Sequence, residues 1–201
     1  MARPRAIDYD DKRHAILARS ATLFAERGYA RTSMTEIGEA CGISKALFYH
    51  YYASKEQLLA DMLAEHFAEL DIAVGAADDA GTAPAVRLNR MVRALLAVYA
   101  DRDALHKVQM NDLAVLPVAM QRELKIVERR LVDRFARVVV DLNPGLRHRP
   151  ELVKPVTMSL FGMLNWHHTW FRDNGPLTRD AYADLATRLF INGLGDALTT
   201  C

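Results

Sequence analysis

A short stretch near the N-terminus carries side chains that can contact the phosphates and base edges of DNA. Ser44, Lys45, Ala46, Tyr49 and His50 fall within seven residues and combine small, cationic and hydrogen-bonding aromatic groups. On a helix that starts at Lys45 they share an exposed face, while aromatic residues between them point inward. Cations and hydroxyls suit phosphates, and short side chains suit base edges. The pattern predicts a helix that reads DNA.

The residues before this stretch predict a supporting helix. Between Asp11 and Arg27 the apolar residues Ile16, Leu23 and Phe24 recur at helical spacing. Gly28 follows as a helix C-cap, a position where glycine is favoured. The first helix is therefore predicted over Asp11–Arg27.

Three further helices start at recognisable caps. Ser33–Glu36 matches a capping box that opens a second helix, which Gly42 closes. Ser44 is the predicted N-cap of a helix over Lys45–Tyr51, and Ser54–Gln57 matches a second capping box that opens a long helix. Two short helices joined by a three-residue turn form a helix-turn-helix, whose second helix enters the major groove.

The charge of the chain is neutral overall and basic locally. The 201 residues carry a net charge of +1. Up to Lys55, nine lysines and arginines stand against six acidic residues, a net charge of +3. The two cysteines, Cys41 and Cys201, are too far apart in sequence to indicate a disulfide framework or zinc site. Without a signal peptide or membrane span, the chain is expected in the cytoplasm.

The same segment resembles the tetracycline repressor (TetR) family. Gly28–Tyr29, Thr32–Ile37, Gly42–Tyr52 and Ser54–Glu56 carry the resemblance. It implies a DNA-binding repressor of palindromic operators. Ala46 and Leu47 replace the glycine and threonine common in the family, which favours apolar contact with a thymine methyl.

The resemblance also implies a role for individual side chains. Ser33, Tyr49 and Lys55 are expected on phosphates, and Thr35, Lys45, Leu47 and His50 on base edges beside Ala46. The predicted DNA-contacting residues are Ser33, Thr35, Ser44, Lys45, Ala46, Leu47, Tyr49, His50 and Lys55. The alternative is a three-helix module in which these residues serve only as caps and surface charges.

The rest of the chain also reads as helical. Small residues over 73–84 predict a linker or a frayed helix end. Beyond it, helices are predicted at about 84–101, 103–114, 118–141, 151–173 and 178–199. The predicted fold is all-α with about nine helices: a three-helix DNA-binding domain over 1–55, and a ligand-binding and dimerisation domain over 56–201.

The last two predicted helices indicate a homodimer. Val156–Phe171 is apolar nearly all round, and the last helix carries one sharp apolar stripe. Meeting their copies, these two helices would form an isologous four-helix interface, as the family resemblance also implies. The alternative is that both helices only cover the protomer core. The predicted interface residues are Leu160, Leu164, Tyr182, Leu189, Phe190 and Leu194.

Central helices rich in methionine and aromatic residues predict a cavity for a small hydrophobic effector. The candidate ligand residues are Met91, Leu95, Tyr99, Met110, Leu113, Phe161, Asn165, Trp166 and Trp170, with ordinary core packing as the alternative. Segments Gly162–Trp166, Trp170–Phe171 and Gly175–Leu177 look similar to family members that respond to acyl-coenzyme A thioesters.

Enzymatic and cofactor chemistry find little support. His167 and His168 are adjacent, so on a helix they point about 100° apart and do not grip one metal ion. No nucleophile-base spacing or phosphate-binding glycine loop accompanies them. The predicted function is a repressor released by its effector. The alternatives are an effector-independent regulator and a helical enzyme with a histidine base. No catalytic residue, metal or cofactor is predicted.

Overall fold

The computed structural model describes residues 3–197, with side chains described over 9–195. Within this range the chain forms nine α-helices and three short 3-10 helices, with no strand. The α-helices are α1 (Arg3–Arg27), α2 (Met34–Ala40), α3 (Lys45–Tyr51), α4 (Lys55–Ala77), α5 (Pro84–Asp101), α6 (Asp103–Asp112), α7 (Val118–Leu142), α8 (Pro150–Trp166) and α9 (Arg179–Ala197). The 3-10 helices are Leu113–Val115, Pro144–His148 and His167–Thr169. The predicted all-α fold is confirmed. The predicted helix end at residue 199, and Cys201, lie outside the described residues.

The chain divides into two compact units. The first runs up to His66 and includes Arg102–Leu124, and the second comprises Phe67–Asp101 and the chain from Lys125 on. The first unit therefore extends beyond residue 55 and takes in α6, which packs against α1. His106 and Val108 of α6 are fully buried, so α6 supplies part of the core there. The functional division into 1–55 and 56–201 stays a prediction.

The first helix is longer than its apolar pattern predicts. It begins at Arg3, eight residues before the predicted Asp11. The segment before Asp11 is polar, so its composition did not indicate a helix. The face of α1 that is buried further along nevertheless continues toward the N-terminus at helical spacing. Ile16, Leu17 and Phe24 are buried, and Arg13 and Tyr9 precede Ile16 at helical intervals on the same side.

The break between α4 and α5 is shorter than predicted. α4 continues to Ala77, and only residues 78–83 interrupt the helices. Alanine is the strongest helix former, and Val74 is fully buried, so packing and propensity both extend α4 through the small residues. A buried ion pair follows, in which Arg87 of α5 binds Asp78 at 2.6 Å. Arg134 of α7 binds Asp71 of α4 at 2.8 Å.

α9 packs against α5 and α8 in the second unit. Arg93 of α5 binds Asp184 at 2.7 Å and Asp180 at 2.9 Å, both on α9. The hydroxyl of Tyr182 donates to the backbone carbonyl of Met163 on α8 at 2.7 Å. Polar contacts thus fix α9 against two neighbours, and Asp184 is held ionised, with its pKa lowered by hydrogen bonds from Asn89 and Arg93.

α8 ends earlier than predicted, at Trp166 rather than residue 173. Three successive side chains take the carbonyls of its last turn. Nδ1 of His167 lies 2.7 Å from the carbonyl of Leu164, and Nδ1 of His168 lies 2.7 Å from that of Asn165. The Thr169 hydroxyl donates to the carbonyl of Trp166 at 2.8 Å. These side-chain contacts cap α8, and the chain continues as a 3-10 turn. Pro155 lies within α8 without ending it.

Two buried histidines lie in the first unit. His66 of α4 and His106 of α6 have no exposed surface. Burial lowers the pKa of His66 to about 4, and the neighbouring His106 acts in the same direction. A neutral histidine is favoured there because burial penalises the charged form.

Acidification is therefore expected to destabilise the fold. In the unfolded chain His66 titrates near 6.5, so between pH 6.5 and about 4 the unfolded state binds more protons. The free energy of unfolding falls as the pH drops through this window, by about 3 kcal/mol at most, and the fall ends below pH 4. Urea unfolding from pH 7 to pH 4 measures it. His66→Gln should flatten this dependence, whereas His148→Gln at an exposed site should leave it. An unchanged slope in His66→Gln would contradict the assignment.

No helix in the described part of the chain is long and apolar enough to cross a membrane. Over the same residues, no group of three or more His, Cys, Asp or Glu side chains is arranged to hold a metal ion.

Candidate DNA interface

The start of α2 is fixed by the predicted capping box. The Ser33 hydroxyl accepts from the backbone N–H of Glu36 at 3.2 Å, and the Glu36 carboxylate accepts from the backbone N–H of Ser33 at 2.7 Å. Hydrogen bonds to the carboxylate from the backbone N–H and then the side chain of Ser33 lower the pKa of Glu36, so the carboxylate stays charged. The box holds Ser33 and Thr35 at the exposed start of α2.

The turn between α2 and α3 depends on glycine. Gly42 has φ +67°, a left-handed conformation that side chains disfavour. Its N–H donates to the carbonyl of Glu39 at 3.0 Å, and the next N–H, from Ile43, donates to that of Gly38 at 3.2 Å. The turn therefore closes α2 with its last carbonyls satisfied, as the sequence predicted.

Replacing Gly42 should strain only the backbone. A Cβ at this position would meet no atom within 4 Å. Gly42→Ala is therefore expected to lower the free energy of unfolding by about 1 kcal/mol, and Gly42→Asn by less, because asparagine tolerates the left-handed region. Urea denaturation measures both variants. Equal losses in the two variants would point to a steric clash instead of strain.

α3 begins at its predicted cap and presents its predicted face. The Ser44 hydroxyl accepts from the backbone N–H of Leu47 at 3.2 Å. Phe48 and Tyr52 are buried, and they anchor the helix on its inner side. The ammonium of Lys45 lies 6.0 Å from the ring centroid of Tyr49 on the outer side. Eight predicted contact residues are exposed: Ser33, Thr35, Ser44, Lys45, Ala46, Leu47, Tyr49 and His50.

The ninth residue, Lys55, is half-buried and bonded within the protein. Its ammonium donates to the backbone carbonyls of Tyr29 at 2.9 Å and Thr32 at 3.0 Å, and it lies 4.2 Å from the centre of the Tyr29 ring. These bonds fix the start of α4 to the segment between α1 and α2. A lysine ammonium has three N–H donors, and these two bonds use two of them. Contact of the third donor with a phosphate stays a prediction.

The second capping box differs from its prediction in one bond. The Ser54 hydroxyl accepts from the backbone N–H of Gln57 at 3.1 Å, as predicted. The Gln57 carbonyl instead accepts from the N–H of Ala53 at 3.3 Å, one residue before the cap. The glutamine side chain thus reaches one residue past the serine, and α4 still starts at the predicted residue.

The candidate effector residues do not share one environment. Met110 and Leu113 belong to the first unit, and the other seven belong to the second. Met91, Leu95, Tyr99 and Phe161 are buried in the second unit, whereas Trp166 and Trp170 are 64% and 50% exposed. Trp170 lies beyond α8, which ends at Trp166, and contact of either tryptophan with an effector stays a prediction.

The buried Tyr99 and the half-buried Asn165 form a polar contact in the second unit. The Tyr99 hydroxyl donates to the Asn165 side-chain carbonyl at 2.8 Å. Burial raises the pKa of Tyr99, and the charge of Glu128 adds to the rise, so the phenol stays protonated and donates. The ring of His167 stacks 6.1 Å from that of Tyr99. Polar side chains thus lie together inside the second unit.

Most of the predicted interface residues are buried inside the second unit. Leu160 and Leu164 have no exposed surface, and Tyr182, Phe190 and Leu194 are also buried. Leu189 differs, with 58% of its surface exposed. The apolar stripe of α9 locates a packed face but does not say whether the same chain or a second copy covers it. The dimer itself stays a prediction at this point.

Sequence reasoning missed the contact between α1 and α3. Tyr9 of α1 stacks on Tyr51, the last residue of α3, with ring centroids 4.7 Å apart and planes 21° from parallel. Arg13, four residues later, binds Asp61 at 3.2 Å and also Glu65, both on α4. Tyr9 and Arg13 precede Ile16 at helical spacing. This spacing could have indicated the contact, because it continues the period of the buried face of α1.

Two short helices joined by a tight turn, the second with an exposed polar face, are typical of helix-turn-helix DNA-binding regulators. Two family models match this chain: "Bacterial regulatory proteins, tetR family" over residues 16–62, and "Tetracyclin repressor-like, C-terminal domain" over residues 81–194. The chain belongs to the TetR family of transcriptional regulators.

Similar proteins support this assignment over nearly the whole length. A crystal structure of a TetR-family regulator from Bordetella parapertussis 12822 is 33% identical, with a TM-score of 0.84, covering 89% of this chain and 93% of that one. AibR, solved with isovaleryl coenzyme A and operator DNA, is 26% identical with a TM-score of 0.78, covering 89% and 97%. The repressor KstR2 of Mycobacterium tuberculosis (strain CDC 1551 / Oshkosh) is 24% identical, covering 92% and 94%.

Proposed function

We propose that this protein is a cytoplasmic, dimeric transcriptional repressor that binds a palindromic operator and is released by an acyl-coenzyme A thioester. The proposal that the protein binds DNA rests on the exposed outer face of α3. Its cap, its buried Phe48 and its exposed Lys45 and Tyr49 give a rigid helix with polar groups facing solvent. Such a helix suits the major groove.

Each exposed group on α2 and α3 then has a task that fits its chemistry. The hydroxyls of Ser33 and Tyr49 donate to phosphates and set the register on the duplex. Lys45 donates to a guanine edge, and Ala46 and Leu47 contact a thymine methyl. Thr35, Ser44 and His50 add hydrogen bonds at the rim of the same face.

Apolar residues on α8 and α9 support the dimer. Met158, Gly162 and Trp166 are exposed at four-residue intervals on α8. Leu185 and Leu189 are exposed at the same interval on α9, and Gly193 continues that face. A Cβ at Gly162 or Gly193 would meet nothing within 4 Å, which leaves room for another helix to approach. A second copy would cover these faces as an isologous four-helix interface.

Two-fold symmetry then determines the operator. Two copies of α3 related by a dyad read an inverted repeat, with half-sites one helical turn apart, about 34 to 36 Å, or a multiple of that. The symmetry of the protein therefore predicts a palindrome.

The effector class is supported by AibR and by the second unit itself. AibR was solved with isovaleryl coenzyme A. In this chain, Tyr99 and Asn165 form a polar contact in the second unit, where Met91, Leu95 and Phe161 are also buried. A polar pair within apolar walls suits a thioester, which has one carbonyl on a hydrocarbon chain.

Release would follow from a difference in affinity. An effector that prefers a conformation of the C-terminal part with another spacing of the two recognition helices shifts the population away from DNA, by no more than its differential affinity. α4 is the natural connection, because it begins at Lys55 beside α2 and continues to Ala77 in the second unit.

A mobility shift on the DNA upstream of the gene for this protein tests the proposal. The assay uses purified protein at fixed salt, with isovaleryl-coenzyme A, longer acyl-coenzyme A thioesters, and free coenzyme A as the control. We expect a specific complex that one thioester releases and free coenzyme A does not. A complex that no thioester releases would keep the regulator and reject the effector class.

A further inference from the structure

The contact between Tyr9 and Tyr51 lies at the junction of α1 and the recognition helix. Tyr51 is the last residue of α3, so its ring projects from the end of the helix that is proposed to read DNA. The two rings are nearly parallel and 4.7 Å apart, a stacked arrangement. Tyr9 lies in the part of α1 that precedes the helix-turn-helix pattern. The N-terminal part of α1 therefore contacts α3 directly.

Tyr51 in turn contacts a predicted base reader. The rings of His50 and Tyr51 meet edge to face, 6.1 Å apart. Tyr51 thus contacts both the exposed His50 and Tyr9. Stacked and edge-to-face aromatic pairs prefer defined geometries. A fixed Tyr51 thus limits the orientations open to His50.

One side of the Tyr51 ring faces a cavity. This cavity of about 260 Å³ lies between α1 and the turn of the helix-turn-helix, with Ile16 and Ile43 in its wall. Empty space beside a ring means fewer packing contacts on that side. The stack on Tyr9 therefore adds a contact at the end of α3 beside the buried anchors Phe48 and Tyr52.

The α1 segment that carries Tyr9 is itself anchored. Arg13, one helical turn after Tyr9, binds Asp61 at 3.2 Å and also Glu65 on α4. Ion pairs to α4 thus hold the N-terminal half of α1 where Tyr9 can stack on α3.

We infer that Tyr9 is a positioning residue for DNA binding: through its stack on Tyr51 it fixes the C-terminal end of α3 and the His50 ring, without touching DNA itself. The inference rests on the proposed role of α3 as the recognition helix. Loss of the stack leaves the end of α3 in several orientations. Only a fraction of the molecules can then bind DNA, and the apparent affinity falls in proportion to that fraction.

Two substitutions separate positioning from direct contact. Tyr9→Phe keeps the ring and removes the hydroxyl, whereas Tyr9→Ala removes the stack. Because an aromatic pair contributes about 0.5 to 1.5 kcal/mol, we expect Tyr9→Ala to weaken specific operator binding about threefold to tenfold and Tyr9→Phe to leave it unchanged. Tyr9 is 41% exposed, so both variants should fold, which melting temperatures check.

The salt dependence of binding provides a second readout. Tyr9→Ala should leave the slope of log affinity against log salt unchanged, because no phosphate contact is lost. A phosphate-contacting lysine would lower the slope by about one. In a Tyr51→Ala background, Tyr9→Ala should have no further effect, because the partner ring is already gone.

The test is affinity for an operator taken from selection on random duplex DNA, for the wild-type protein and these variants. Equal losses in Tyr9→Phe and Tyr9→Ala would assign a DNA contact to the hydroxyl and overturn the positioning role. Wild-type affinity in Tyr9→Ala would overturn it as well. A wild-type protein that selects no sequence would overturn the proposed function, and this inference with it.

Discussion

Replacing Lys45 and Tyr49 together by alanine is expected to weaken specific operator binding by about 100-fold. Both side chains project from the outer face of α3, and neither is part of the buried core. Each polar contact to a base edge or phosphate contributes about 1 to 3 kcal/mol, and 1.4 kcal/mol corresponds to tenfold in affinity. Fluorescence anisotropy on a labelled operator duplex at fixed salt measures the loss.

Two controls show whether this loss is specific. The melting temperature should stay within a degree or two of wild type, because exposed side chains contribute little to stability. Lys107→Ala removes the same charge from α6, where Lys107 binds Asp103 at 2.7 Å. Operator affinity should survive that change. Wild-type binding in the Lys45 and Tyr49 double variant would remove α3 from the interface.

Leu189→Asp is expected to convert the dimer into monomers and to reduce operator affinity by about 100-fold. Leu189 is 58% exposed on α9 and borders a groove of about 230 Å³ formed with Val156 and Ser159 of α8. In a symmetric interface each copy would bury this charge against an apolar surface, without a partner for it. A monomer engages one half-site and loses the gain from binding two linked sites.

Ile72→Asp is the matched control for that substitution. Ile72 is 73% exposed on α4 and lies outside the proposed interface, so it carries the same change on another surface. Sedimentation equilibrium should give a dimer for wild type and Ile72→Asp and a monomer for Leu189→Asp. A dimeric Leu189→Asp protein with full operator affinity would place the interface elsewhere.

Local chemistry made much of the DNA-binding half predictable. The caps at Ser33 and Ser44 and the turn at Gly42 involve only backbone groups a few residues away. These caps and this turn therefore follow from the sequence alone. The period of apolar residues then told the inner face of α3 from its outer face. Eight of the nine predicted contact residues are exposed, because exposure of a short amphipathic helix follows from that period.

Features set by distant contacts were harder to predict. The Lys55 ammonium donates hydrogen bonds to backbone carbonyls that lie more than twenty residues away in sequence. The early end of α8 depends on His167, His168 and Thr169 turning back to its carbonyls, although the run of three capping side chains was visible. An apolar stripe does not reveal what covers it, which is why Leu160 was expected at the dimer interface and lies in the core.

The most direct test of the central claim is selection of binding sites by the purified protein from a pool of random DNA duplexes. We expect one enriched inverted repeat, with half-sites about 10 base pairs or a multiple apart, that the Lys45 and Tyr49 double variant does not enrich. Enrichment of no sequence, or of the same sequence by the double variant, would contradict the claim that α3 reads an operator.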